Sequence, residues 1–402
     1  MAAGTSLVGT RRPSSGARGR PPALSPQPTD KEMNSAMTAQ PMTARERFHE
    51  TFRYGSPDRV FMMPQWTFND TRKRWLREGM PWDQHFSTYF GFDRMEQVPL
   101  HAGPWPPFET KVVEQTAHWS IVEDELGGRT KRWTDREIGM SQWLVYPIRG
   151  REQWERWKQR LDPDAPVRYP EYWEHLKRCY RDRDFPLGIH AGSYYGWIRN
   201  WVGMEHLALW YVDCPDLVHE MTEYLADFMV RLMDRALTEI PDLDHAVMWE
   251  DMCHKTGPLI SPAWFREFML EPMQRVTQVL HEAGIDIIMV DSDGKVDELL
   301  PLWLEAGVNL HYPLEVASDC DALRYRELHG KDILLMGNID KRVLRDGCTK
   351  ADIEREVTAK IPALVKQGGY SPMVDHSVPP DVPFENFQYY INLTQEICTL
   401  GG

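Results

Sequence analysis

From residue 185 onward, short apolar runs alternate with longer stretches in which apolar side chains recur every three or four positions. The runs are "FPLGIHAG" (185–192), "LDHAVMWED" (243–251), "IDIIMVDSDG" (285–294), "VNLHYPLE" (308–315), "DILLMGNID" (332–340) and "YSPMVDHSVPP" (370–380). Runs this short and rich in Val, Ile, Leu and Met predict buried strands, and the periodic stretches between them predict helices. Ser261 and Pro262 stand where a helix cap and a first helical residue belong, and Pro215 breaks a long helical stretch in two.

The earlier part of the chain is less regular. "MTARERFHETFRYG" (42–55) predicts a helix capped by Thr43 and closed before Gly55. "RVFMMPQW" (59–66) predicts a first strand, and residues 70–90 a helix broken near Gly79 and Pro81. Residues 100–133 predict a long β-hairpin excursion, from the alternation in "HWSIV" and the "LGG" turn. Repeated strand-helix units imply a parallel sheet covered by helices. About eight units imply an α/β protein with a (β/α)8 TIM barrel over residues 42–402. A doubly wound open sheet competes, but no Gly-rich phosphate loop follows the first strand.

Composition narrows the function. The chain is 42% hydrophobic and 26% charged, with a formal charge of −14. Residues 1–41 carry five basic and two acidic side chains, so the remainder holds −17. A body this acidic disfavours nucleic acid or an anionic membrane as a partner and leaves a small-molecule substrate. Residues 1–41 lack an apolar signal core and read as a disordered extension, and no run is long enough to span a bilayer. Six cysteines without CxxC spacing read as reduced thiols of a cytoplasmic protein.

In a barrel of this kind the chemistry sits at the C-terminal ends of the strands. Those ends carry His190 with Tyr194 and Tyr195, then Glu250-Asp251, Asp291-Ser292-Asp293, His311 to Glu315, Asn338-Ile339-Asp340 and Asp375-His376. Carboxylates and imidazoles converging on one rim can ligate a divalent cation or move protons. Strand-end acids also cap helices, and Asp293 and Asp340 stand where caps belong. "GWIRNW" (196–201) offers tryptophans and Arg199 to a flat or anionic ligand, or to packing alone.

Several stretches resemble the uroporphyrinogen decarboxylase superfamily, which also contains cobalamin-dependent methyltransferases. They are "MTARERFHETFRYGSPDRV", "LISPAWFREFMLEPMQRV", "LLMGNID" and "DHSVPPDVPFEN". The resemblance implies a (β/α)8 barrel with its pocket at the strand C-termini. The decarboxylases' Arg-rich loop is missing from the end of the first strand, and their catalytic Asp aligns with Leu100, near Asp93 and Glu96. His376 matches their substrate-contacting His. Where the methyltransferases carry a zinc-binding His-x-Cys pair and a later Cys, this chain has Asp291-Ser292-Asp293 and His376. These changes keep charge in place. They imply an active enzyme with Glu250, Asp251, Asp291 and His376 as catalytic residues, and Asp291, Asp293 and His376 as ligands of a divalent metal, zinc or similar. His190, Tyr194, Tyr195, Arg199 and Asn338 are then expected to contact substrate. Methyl transfer with a corrinoid supplied by a partner protein is the expected reaction, in a monomer or homodimer. Cofactor-free decarboxylation of a tetrapyrrole or other carboxylated substrate is the alternative, and a catalytically silent binding barrel a third.

Overall fold

A computed structural model describes residues 41–135 and 141–400, so the expected N-terminal extension lies, but for Pro41, outside the described residues. In chain order the strands are β1 (Glu96–Gln97), β2 (Lys111–Gln115), β3 (Trp119–Glu123), β4 (Arg129–Trp133) and β5 (Gln142–Val145), then β6 (Leu187–His190) and β7 (His245–Trp249). They continue with β8 (Cys253–His254), β9 (Gly257–Pro258), β10 (Ile288–Asp291), β11 (Leu310–Tyr312), β12 (Leu334–Met336) and β13 (Tyr370–Ser371). All six apolar runs after residue 185 are strands. With β1 they form a parallel seven-stranded sheet in the order β1-β6-β7-β10-β11-β12-β13, curled as a half-barrel. Helices follow the strands because each apolar stripe must cover one outer face of the sheet.

"RVFMMPQW" differs from expectation: it forms no ladder. Pro64 has no N–H to give, and the run meets its neighbours piecemeal instead. On one side the Asp93 N–H donates to Met62 O at 2.8 Å. On the other, Ser371 Oγ donates to Phe61 O at 2.7 Å, the Val374 N–H donates to Gln65 Oε1 at 2.8 Å, and Thr67 bridges Val378. The excursion is a four-stranded antiparallel sheet, β2-β3-β4-β5, two strands more than a hairpin, and β5 lies beyond the expected stretch 100–133.

Inside the curl, Phe48, Phe52, Phe61, Met289, Leu310 and Met336 belong to one apolar cluster. The helix Ala44–Phe52 supplies Phe48 and Phe52, and is fixed by a capping box between Thr43 and Glu46. Its polar residues grip the N-terminal ends of the strands. Arg45 and Arg183 pair with Asp244 at 2.7 and 3.0 Å, and Arg47 and Arg59 with Asp93 at 2.6 and 2.7 Å. Asp93 is therefore at the end of the sheet opposite the expected site, and does not replace the family's missing Asp. Glu96 pairs with Arg94. Among the described residues no helix is long and apolar enough to cross a membrane, and all six cysteines are free thiols.

Candidate active site

At the C-terminal ends of the strands, parallel register sets Trp249, Asp291 and Tyr312 side by side on β7, β10 and β11. Paired residues of a parallel sheet point the same way, so these three side chains make one layer facing into the curl. Asp291 is half-buried. Burial, and then the charges of Asp293 and Asp251, push its pKa up to about 8, with His376 opposing them. No side chain among the described residues hydrogen-bonds its carboxyl group, whereas its backbone carbonyl accepts from the Glu250 and Asp251 N–H groups at 2.9 and 3.2 Å.

One layer further out, Asp293, Glu315 and His376 converge, each offering a ligand atom within 4.8 Å of the others. His376 Nε2 lies 3.1 Å from Asp293 Oδ2, a contact that raises the His376 pKa against the cost of burial. Glu315 is held by the Gly294 N–H at 3.0 Å and by Ser318 Oγ at 3.3 Å. Two carboxylate oxygens and one imidazole nitrogen, all half-buried, suit zinc, manganese or iron(II). Of the three expected donors, Asp293 and His376 lie together, with Glu315 as the third member of the cluster, and Asp291 lies one layer below. Asp293 is not a helix cap, because the next helix, Leu300–Glu305, starts too far along and has no side-chain cap. Asp340 does cap, accepting from the Arg342 N–H at 2.9 Å.

Lys341 was missed in the sequence. Its Nζ lies 3.2 Å from Asp375 Oδ1 and 3.7 Å from Glu315 Oε1. Asp375 is buried and also accepts from the Val316 and Lys341 N–H groups at 3.0 and 3.1 Å, so it fixes the loops that carry Glu315 and Lys341. Nothing in spacing distinguishes Lys341 from a surface lysine. Glu315 was visible as a strand-end acid, but only the turn after β11 aims it at His376.

Four other expected site residues are occupied by the fold. The Glu250 carboxylate is fully buried and accepts from the Tyr194 and Tyr195 N–H groups at 2.8 Å. Burial raises its pKa to about 7 despite those hydrogen bonds. It ties the end of β7 to the turn that opens the helix Gly196–Val202, where a side chain on Gly196 would come within 2.7 Å of Glu250 O. Its carboxyl group is turned away from the open mouth, with no exposed surface. Tyr194 is buried with its hydroxyl donating to Ala191 O at 3.0 Å, and Tyr195 is only 2% exposed. Asn338 is buried: its amide oxygen accepts from the Ala322 N–H, and its amide nitrogen donates to Leu314 O and Cys320 O.

Arg199 and Asp251 reach the rim but face each other, with Arg199 Nη2 2.8 Å from Asp251 Oδ2 and the guanidinium 5.7 Å from the centre of the Trp249 ring. His190 stacks on Trp197 at 5.5 Å and accepts from the Gly192 N–H through Nδ1, which leaves its proton on Nε2. Burial pushes its pKa down to about 4. Beside this pair opens a cavity of about 290 Å³, walled by Trp157, Trp197, Trp201 and Trp249 with Leu126 and Asn200.

The family model described as "Uroporphyrinogen decarboxylase (URO-D)" matches residues 143–397. A uroporphyrinogen decarboxylase of Legionella pneumophila (strain Corby) is 29% identical over 141 residues, 35% of this chain and 39% of that protein. One of Thermus thermophilus is 29% identical over 142 residues, 35% of this chain and 38% of that protein. The match thus spans about two-fifths of the length of these curated relatives. A solved structure described as a methyltransferase from Methanosarcina mazei superposes with a TM-score of 0.55 at 13% identity, covering 88% of this chain and 99% of that one. At that identity the likeness is one of fold. The chain belongs to the uroporphyrinogen decarboxylase family.

Proposed function

We propose that this chain is a metal-assisted methyltransferase of the family, built on a (β/α)8 barrel in which residues 59–66 serve as the remaining stave. The observation that carries the reading is the convergence of Asp293, Glu315 and His376 on one point of the rim. Asp293, Glu315 and His376 would hold a divalent ion, which would supply Lewis-acid chemistry at a substrate oxygen, and a corrinoid brought by a partner protein would supply the methyl-exchange chemistry. The cavity beside the rim, about 290 Å³, is far too small to enclose such a macrocycle. A macrocycle does not fit in this cavity, which accords with presentation at the mouth by a partner. The chain's own residues do the rest: Asp293, Glu315 and His376 hold the ion, Lys341 and Asp375 orient Glu315, and the pair Arg199–Asp251 borders the substrate.

Decarboxylation of a multiply carboxylated tetrapyrrole is the second reading, favoured by the name of the matching family and of the curated relatives. The electrostatics of the rim speak against it. Asp251, Asp293 and Glu315 would repel an anionic substrate, and Arg199 and Lys341, which reach Asp251 and Glu315, are already paired with carboxylates. The experiment is metal analysis of the purified protein together with a uroporphyrinogen turnover assay. One metal per chain and no uroporphyrinogen turnover supports methyl transfer. Turnover of uroporphyrinogen by metal-free protein overturns it.

A further inference from the structure

The tryptophan-walled cavity is not used by the metal donors. It is too small for a macrocycle and close to the lower limit for a small-molecule site. Two of its indoles, Trp157 and Trp201, are buried and lie 4.2 Å apart between ring centres, and Trp197 and Trp249 are half-buried at its edge. Trp157 already donates its indole N–H to Leu126 O at 2.9 Å, so that ring offers only apolar faces and edges. Among the described residues no carboxylate or ammonium lines the cavity, and Asn200 brings a polar side chain to its lining. A cage of indoles without a lining acid could hold a cation by its π faces. Here, however, the face of Trp249 is already occupied by the guanidinium of Arg199.

One wall of the cavity belongs to the same strand-end layer as Asp291. Trp249 lines it and stands in register with Asp291, one layer below the donor trio. Its outer wall, Leu126, comes from the turn between β3 and β4, which the Asp124 carboxylate holds by accepting from the Leu126 and Gly128 N–H groups at 3.2 and 3.1 Å. The antiparallel excursion thereby acquires a purpose, closing a pocket that the parallel sheet alone leaves open.

We infer that this cavity binds the uncharged, planar aromatic part of a small substrate, with its reacting group turned toward Asp293, Glu315 and His376. The assignment deepens the methyltransferase reading and rests on it only for the reaction performed at those donors. Stacking and apolar burial supply the affinity, and Asn200 the orientation.

The test titrates the full-length chain with indole, benzoate and tetramethylammonium as probes, by saturation-transfer NMR and calorimetry, with metal content measured on the same samples. Indole is expected to bind, and the anion and the cation to bind at least tenfold more weakly. Ala102→Phe, which fills the cavity, is expected to weaken indole at least tenfold at an unchanged unfolding temperature. Should that variant misfold, Asn200→Leu provides the second probe, and is expected to shift indole affinity while leaving metal content unchanged. Equal binding of the three probes, or indole binding that ignores both substitutions, overturns the inference. Metal retained without indole binding sinks the aromatic pocket and leaves the metal site standing; indole bound by a chain that takes up no metal does the reverse.

Discussion

The two ends of the parallel sheet carry similar residues in opposite circumstances. At the N-terminal ends of the strands, Asp93 and Asp244 are buried and each is met by two arginines. Burial alone would raise the Asp244 pKa, but hydrogen bonds from His49, the Leu187 N–H and Arg45, and the charge of Arg183, hold it below the usual carboxylate range. At the C-terminal ends, Asp291 is pushed up to about 8, and Asp293 and Glu315 share one histidine and one lysine. A buried ion pair becomes costly once one partner is removed, whereas crowded acids cost stability unless a ligand answers them. On the proposed reading, the lower rim serves stability and the upper rim function.

The comparison is broken most severely at the lower rim. Removing one partner leaves buried charge uncompensated, so Asp93→Ala or Asp244→Ala should cost about 3–5 kcal/mol in urea unfolding. A loss below about 1 kcal/mol at both positions would refute the division of labour.

Acid should act next, through histidines that the fold keeps neutral. Burial lowers the pKa of His245 to about 4 and of His311 to about 3, a fall that the Val308 backbone opposes at His311, and neither ring nitrogen of His245 has a hydrogen-bond partner among the described residues. A histidine whose folded pKa is depressed costs nothing above the unfolded value, near 6.5. The stability it leaves intact there is lost as pH falls from 6.5 through the folded value. Unfolding free energy should therefore drop between about pH 6.5 and 4, and His311→Leu should remove about 3 kcal/mol of that drop. An unaltered pH profile in the variant contradicts the assignment.

The upper rim should respond with the opposite sign. Asp291→Asn relieves a buried acid of two acidic neighbours, so metal-free protein should gain about 1 kcal/mol, read by the same unfolding curves. The smallest effect belongs to Arg199→Met, where a partly exposed pair is worth about 0–1 kcal/mol. Its value lies in showing whether Asp251 then changes substrate affinity without changing fold.

Much of this architecture is legible in the amino-acid sequence, because period-two and period-3.6 patterns report burial directly. Each apolar run after residue 185 became a strand in the sheet, in order. The run at 59–66 failed because Pro64 interrupts its ladder, a local veto on an apolar pattern. β5 was missed because Gln142–Val145 shows too short an alternation. At the site, the strand-end positions of Asp293 and His376 were enough to bring them together. Glu250 and Asn338 misled for a physical reason: a polar residue at a strand end reads the same whether it faces the mouth or turns back to hold a loop. Glu315 and Lys341 depended on loop geometry after β11 and β12, which no periodicity encodes.

The most direct test of the central claim is calorimetric titration of metal-free protein with zinc, comparing wild type, His376→Ala, Glu315→Ala and Lys295→Ala, the last on the same face but outside the donor trio. The account predicts one ion per chain in wild type and in Lys295→Ala. It predicts at least tenfold weaker binding in the other two, whose unfolding free energy stays within about 1 kcal/mol of wild type. Equal affinity in all four proteins, or no uptake by the wild type, would contradict it.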